Sequence, residues 1–95
     1  MQARMTTEYR TWINGLRDPV ARARIQVRVD RLVHGNRCSH RVLREGVSEL
    51  RLDVGPGYRV SLTERDGEWI ILLAGGDKST QRRDIARAIE LARHL

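Results

Sequence analysis

The sequence predicts a single α+β domain: an N-terminal helical hairpin on a mostly antiparallel sheet of three to four strands, closed by a C-terminal helix. Three observations carry this. Apolar residues recur at helical spacing up to about residue 35, alternate from about His40, and return to helical spacing after Gly75-Gly76. Ninety-five residues with 40% apolar side chains make one domain, 1–95, with one modest core. A chain of this size buries roughly 60–65% of its unfolded surface, so it is marginal alone and gains from a partner.

Residues 2–5 read as a short strand. Thr6 or Thr7 caps a helix running to about Leu16, with Tyr9, Trp12, Ile13 and Leu16 on one stripe and Gly15 near its end. Asp18-Pro19 starts a second helix: the Asp caps it, and Pro in the first turn lacks an N–H that would have no partner there. Its core stripe is Ala21, Ile25, Val29, Leu32 and Val33, with arginines on the other faces, and Gly35-Asn36 ends it. A strand is expected over 40–44, followed by alternating strands over 48–54 and 58–63 separated by the turn Gly55-Pro56-Gly57. Asp66-Gly67 predicts a two-residue hairpin loop into a strand from Glu68 to Ala74 that is apolar on both faces. Ser79 or Thr80 caps the last helix, striped by Ile85, Ala88, Ile89, Ala92 and Leu95.

The turns predict a register. Arg65 should lie opposite Glu68, Leu62 opposite Ile71, Val60 opposite Leu73 and Arg59 opposite Ala74. On the other side Val54 should face Tyr58, with Asp53 facing Arg59 and Arg51 facing Ser61. One sheet face then carries Leu50, Leu52, Val54, Tyr58, Val60, Leu62, Ile71 and Leu73 under the hairpin. The other carries Glu49, Arg51, Asp53, Arg59, Ser61 and Thr63, with Ile70 and Leu72. A slip of one residue would invert these assignments.

Eighteen basic against twelve acidic residues give a net charge of +6, and Lys78 is the single lysine among seventeen arginines. Such an excess points to an anionic partner or to a solvated arginine-rich surface; guanidinium leans the balance toward phosphate because it binds bidentately and stacks. The longest apolar run, Trp69 to Ala74, is too short to cross a bilayer, and Met1–Met5 has no apolar stretch behind its charge, so neither a membrane span nor a signal peptide is expected. Cys38 stands alone, which fits a reducing, cytoplasmic setting. His34, His40 and His94 lack ligand spacing; no metal and no cofactor is expected.

Two groups hold candidate chemistry. Gly75-Gly76-Asp77-Lys78-Ser79-Thr80 lacks the first Gly of a phosphate loop, which argues against nucleotide hydrolysis; it reads as a strand-to-helix turn, or as an anion site at a helix start. Arg51 and Arg59 share one sheet face, either as a phosphate platform or as partners of cross-strand ion pairs with Glu49 and Asp53. Both readings stand at this level.

The combination of Glu45-Gly46-Val47-Ser48-Glu49-Leu50-Arg51-Leu52, Gly55-Pro56-Gly57-Tyr58-Arg59-Val60, Leu72-Leu73-Ala74-Gly75-Gly76-Asp77-Lys78-Ser79-Thr80-Gln81 and Asp84-Ile85-Ala86-Arg87-Ala88 resembles the HigB-like addiction-module killer toxins of the RelE/ParE superfamily. The helical part, with Trp12 to Asp18, Ala21 to Ile25 and Gly35-Asn36, fits in order and spacing. The resemblance implies a RelE/ParE-like fold and a toxin of a type II toxin–antitoxin system, cutting messenger RNA on the ribosome by attack of the 2′-hydroxyl, with no metal. It implies a helix-turn-helix, HigA-like antitoxin held in a hetero-oligomer. By position, Arg41, Arg51, Arg59 and Lys78 would grip the RNA backbone and the scissile phosphate. Glu49 or Asp77 would be the proton carrier, and Arg44, Tyr58, Ser61 and Asp77 would add RNA contacts. Ser61 stands where relatives usually carry an aromatic, so a stacking ring is missing there. The ParE branch supplies the alternative, a non-enzymatic poison of DNA gyrase.

Overall fold

The computed structural model describes residues 2–35, 40–67 and 69–95. Asn36 as helix stop, the lone Cys38 and the strand start at Glu68 lie outside the described residues.

Local chemistry places the helices. Thr6 caps α1 (Thr7–Gly15), its side chain accepting from the Tyr9 N–H. Asp18 caps α2 (Pro19–Val33), accepting from the N–H groups of Val20 and Ala21. Gly15 sits at the end of α1 with open space where a Cβ would stand. Gly15→Ala should therefore raise stability by about 0.5 kcal/mol, because alanine loses less entropy in a helix; a urea midpoint that falls would contradict this.

The sheet has five strands: β1 (Gln2–Met5), β2 (His40–Val42), β3 (Val47–Leu52), β4 (Tyr58–Arg65) and β5 (Trp69–Gly76). Their order is β1-β5-β4-β3-β2, antiparallel except for the β1–β5 pair. The sheet is wider than the expected three to four strands because both short segments read as strands, 2–5 and the one from His40, pair onto its edges. A single 3-10 turn (Lys78–Thr80) leads into α3 (Gln81–Arg93).

Two apolar layers hold the domain. Tyr9, Ile13, Ile25 and Leu32 of α1 and α2 pack with Leu50, Leu52, Val60, Leu62, Ile70 and Leu72 on one face of the sheet. On the other face α3 packs Ala88, Ile89 and Ala92 on Val47, Ile71 and Leu73. This explains why β5 is apolar on both sides: it lies between the helical layers. Side-chain ties hold α3 down, from Arg93 to Glu45, from Arg87 to Glu8 and from Arg65 to the Ala92 carbonyl. Leu95 lies beyond the helix and is exposed rather than part of its stripe.

The predicted register needs correction. Asp66 and Gly67 both have positive φ, as a tight hairpin requires, yet the ladder pairs Arg65 with Trp69 and Leu62 with Leu72. One extra residue in the connection flips β5, so Ile70 and Leu72 face the hairpin while Ile71 and Leu73 face α3. A second shift follows, for Ser61 pairs with Ala74, leaving Leu73 as the extra residue of a β-bulge. Between β3 and β4 the slip is two residues: Leu52 faces Tyr58, Arg51 faces Arg59 and Glu49 faces Ser61. An even slip preserves faces, so the polar set survives with new partners. Asp53 and Val54 belong to the connecting loop, not to β3.

Candidate functional site

The altered register builds the site. Arg51, Arg59 and Gly76 form one row across β3, β4 and β5, on strands about 4.8 Å apart. The bulge at Leu73 brings Gly76, and with it Lys78 two residues on, to Arg59. The Lys78 N–H donates to the Pro56 carbonyl at 3.4 Å, and a Cβ added at Gly57 would stand 3.4 Å from the Lys78 Cβ. The two glycine-bearing motifs of the sequence thus touch and place Lys78 beside the Pro56-Gly57 turn, two residues before Arg59.

Like charges directly opposite one another destabilise a sheet unless something compensates. For Arg59 the compensation is Glu49, 1% exposed, whose Oε1 accepts from Arg59 Nη1 at 3.2 Å. Gln81, the first residue of α3, donates from Nε2 to both Glu49 oxygens, at 3.0 and 3.2 Å. Arg59 Nε is buried without a hydrogen-bond partner among the described residues, which costs about 1–3 kcal/mol. Arg51 and Lys78 are exposed and have no ion-pair partner among the described residues. Of the two readings of the arginine face, ion pairing holds for Arg59, with Glu49 in place of Asp53, while Arg51 and Lys78 stand exposed.

The other predicted residues divide. Arg41 pairs with Glu49 in the β2–β3 ladder and lines, with Arg28, His40, Arg51 and Asp53, a groove of about 260 Å³. Arg28 donates from Nη1 to the Arg51 carbonyl at 3.3 Å. Arg28 and His40 were not among the candidate site residues; the packing of α2 brings Arg28 here, and the pairing of β2 with β3 brings His40. Arg44 is exposed beyond the other end of β3, where Leu43 pairs with Val47, about 13 Å along the strand from Arg51. It does not join the cluster. Tyr58 turns to the opposite face and meets Trp12 edge-on at 6.2 Å, so it packs rather than presents a ring beside Arg59. Ser61 is 3% exposed on the face that α3 covers, so it offers no surface contact.

Asp77 caps the 3-10 turn. Its carboxylate accepts from the Ser79 N–H at 2.8 Å and from the Ser79 hydroxyl, while its own N–H donates to Thr80 Oγ1. The protein's own carboxylate thus fills the anion position expected at this turn. These hydrogen bonds, the Ser79 side chain foremost, hold the Asp77 carboxyl below its usual range. A carboxyl depressed in the folded state stabilises the fold above its unfolded pKa of about 3.9, and that contribution is lost as pH falls through the lower folded value. Asp77→Asn should therefore unfold with a smaller difference between pH 6 and pH 3 than the natural chain; an unchanged difference in urea midpoint would contradict this.

The paired glycines are packing requirements. A Cβ on Gly75 would lie 2.1 Å from Trp12 Cε3, and one on Gly76 would lie 1.8 Å from Asp84 Oδ2. Strand β5 can run under Trp12 and meet the first turn of α3 only without side chains there.

Comparison with known proteins places this architecture. No protein-family model matches the chain. A mutant of the E. coli toxin RelE, solved in the free state, superposes with a TM-score of 0.76, covering 98% of this chain and 96% of that one at 13% identity. The similarity is one of fold. An uncharacterized protein of Haemophilus influenzae is 42% identical over 95 residues, 100% of this chain and 96% of its own length. With that identity over essentially both lengths, the chain belongs to the same family as the Haemophilus influenzae protein, and it is built on the fold of RelE.

Proposed function

We propose that this protein is the toxin of a type II toxin–antitoxin pair: a cytoplasmic, HigB-like endonuclease that cuts messenger RNA on the ribosome. The observation that carries this is the pairing of Arg51 with Arg59, with Lys78 at the turn that precedes Arg59, on a fold shared with RelE. Arg51 and Lys78 stand exposed near the ion-paired Arg59, which suits successive phosphates of a single strand. Arg59 and Lys78 stabilise the charge that grows on the scissile phosphate, and Arg51 and Arg41 hold the neighbouring backbone. In the reaction the 2′-oxygen bonds to phosphorus and the bond to the 5′-oxygen breaks, leaving a cyclic phosphate and a 5′-hydroxyl. The proton leaves the 2′-hydroxyl and ends on the departing 5′-oxygen.

The burial of Glu49 favours an anchoring role for it over proton transfer, and Asp77 spends its carboxylate on a turn. The protein's contribution in this reading is chiefly electrostatic. A helix-turn-helix, HigA-like antitoxin would restrain it in a hetero-oligomer, with acidic residues opposing the +6 surface.

Binding to a single-stranded RNA should weaken with salt at a log–log slope near −2, since each of the exposed cations Arg41, Arg51 and Lys78 contributes about −0.7 and Arg59 is already neutralised by Glu49. Lys78→Ala should make the slope shallower by about 0.7. A slope near zero in a fluorescence-anisotropy titration would remove RNA from the proposal and favour the gyrase-poison reading.

A further inference from the structure

We propose that Gln81 is a positioning residue, which sets the guanidinium of Arg59 through the carboxylate of Glu49. The inference rests on the proposed RNA-cutting role of Arg59, and goes beyond it by adding a residue on a different structural layer.

An arginine on a strand has four side-chain torsions and points reliably only if something holds its head. Here Nε makes no hydrogen bond among the described residues, and Nη1 binds Glu49 Oε1 at 3.2 Å. The orientation of the guanidinium therefore depends on where the Glu49 carboxylate lies. That carboxylate is itself the end of a rotatable side chain. Arg59 alone on one oxygen would still let it swing, but Gln81 Nε2 reaches both oxygens, at 3.0 and 3.2 Å, and so fixes the direction in which the carboxylate points, leaving Oε1 turned to Arg59. Glu49 is 1% exposed, so water does not compete for these lone pairs.

Gln81 is held in turn. It is the first residue of α3, just after the 3-10 turn that Asp77 caps. The Thr80 hydroxyl donates to Asp84 one turn ahead, and Gly76 admits both side chains against the strand. The order of dependence runs from the helix start to Gln81, to Glu49, to Arg59. This assigns a purpose to the last position of Gly-Gly-Asp-Lys-Ser-Thr-Gln that neither turn geometry nor helix capping requires.

The test is Gln81→Met, which keeps the length and packing of the side chain but removes the donor. In the free protein, the Arg59 Nε–H signal in a 15N-arginine spectrum, assigned with Arg59→Lys, should shift and its guanidinium rotation should quicken. Other arginine signals away from the site should stay in place. In a translating cell-free system, kcat for message cleavage should fall about 10- to 100-fold with KM nearly unchanged, the pattern of a misplaced group acting in the transition state. An unmoved Arg59 signal in Gln81→Met would overturn the inference whatever the protein's activity. So would unchanged kcat in Gln81→Met where Lys78→Ala has lost cleavage. If natural protein cuts no message, the RNA-cutting reading fails, and the Arg59 signal alone decides whether Gln81 positions it.

Discussion

Gly75→Ala should cost about 3 kcal/mol, a large share of the roughly 5–10 kcal/mol expected of a domain this size. The added methyl would lie 2.1 Å from Cε3 and 2.3 Å from two further atoms of the Trp12 ring. The indole has little room to move, since Tyr58 meets it edge-on at 6.2 Å and Tyr9 lies tilted against it at 5.8 Å. Either the ring leaves its place or β5 shifts, and both disturb the core under α1. Gly76→Ala meets the end of the Asp84 side chain, which can turn aside, so it should cost less despite the shorter 1.8 Å approach. Urea denaturation checks this, together with Trp12→Leu and the double variant. Removing the ring should return much of what Gly75→Ala loses. Additive losses in the double variant would show that the clash with Trp12 is not the cause.

The second large effect separates catalysis from folding. Lys78→Ala should reduce message cleavage about 100- to 1000-fold, the loss typical of one preorganised donor to a developing charge. It should leave the urea midpoint in place, because Lys78 is exposed and carries no ion pair among the described residues. Arg59→Ala should lose at least as much activity, and also about 3–5 kcal/mol of stability, since it strands the buried charge of Glu49. Arg59→Ala combined with Glu49→Ala should recover part of that stability and none of the cleavage. Equal stability of Lys78→Ala and Arg59→Ala would contradict the pairing; full cleavage by Lys78→Ala would contradict the site.

Much of the fold was legible because local chemistry decides it. Thr6 and Asp18-Pro19 start the helices by capping, and the alternation from Ser48 to Val54 and from Tyr58 to Thr63 marks strands, the first of which ends at Leu52. The register was not legible. Trp69 to Ala74 is apolar on both sides, so nothing in its own composition says which side meets which helix layer. The bulge at Leu73 is a property of the β4–β5 pair, not of either strand. Arg51 and Arg59 were still placed on one face because the slip between their strands is even. Ser61 was read as part of an open polar face, whereas Tyr58 was placed under the hairpin, where it is found. Sharing a polar face does not keep Ser61 in solvent once α3 lies over it, and Tyr58 finds Trp12, 46 positions earlier in the chain. Glu49, Gln81, Arg28 and His40 take their roles only from tertiary contact.

Primer extension on message from a cell-free translation reaction, with purified protein added, tests the central claim most directly. The account predicts discrete new 5′ ends that require translating ribosomes and vanish with Lys78→Ala. Intact message with normal protein synthesis at the same concentration would contradict it.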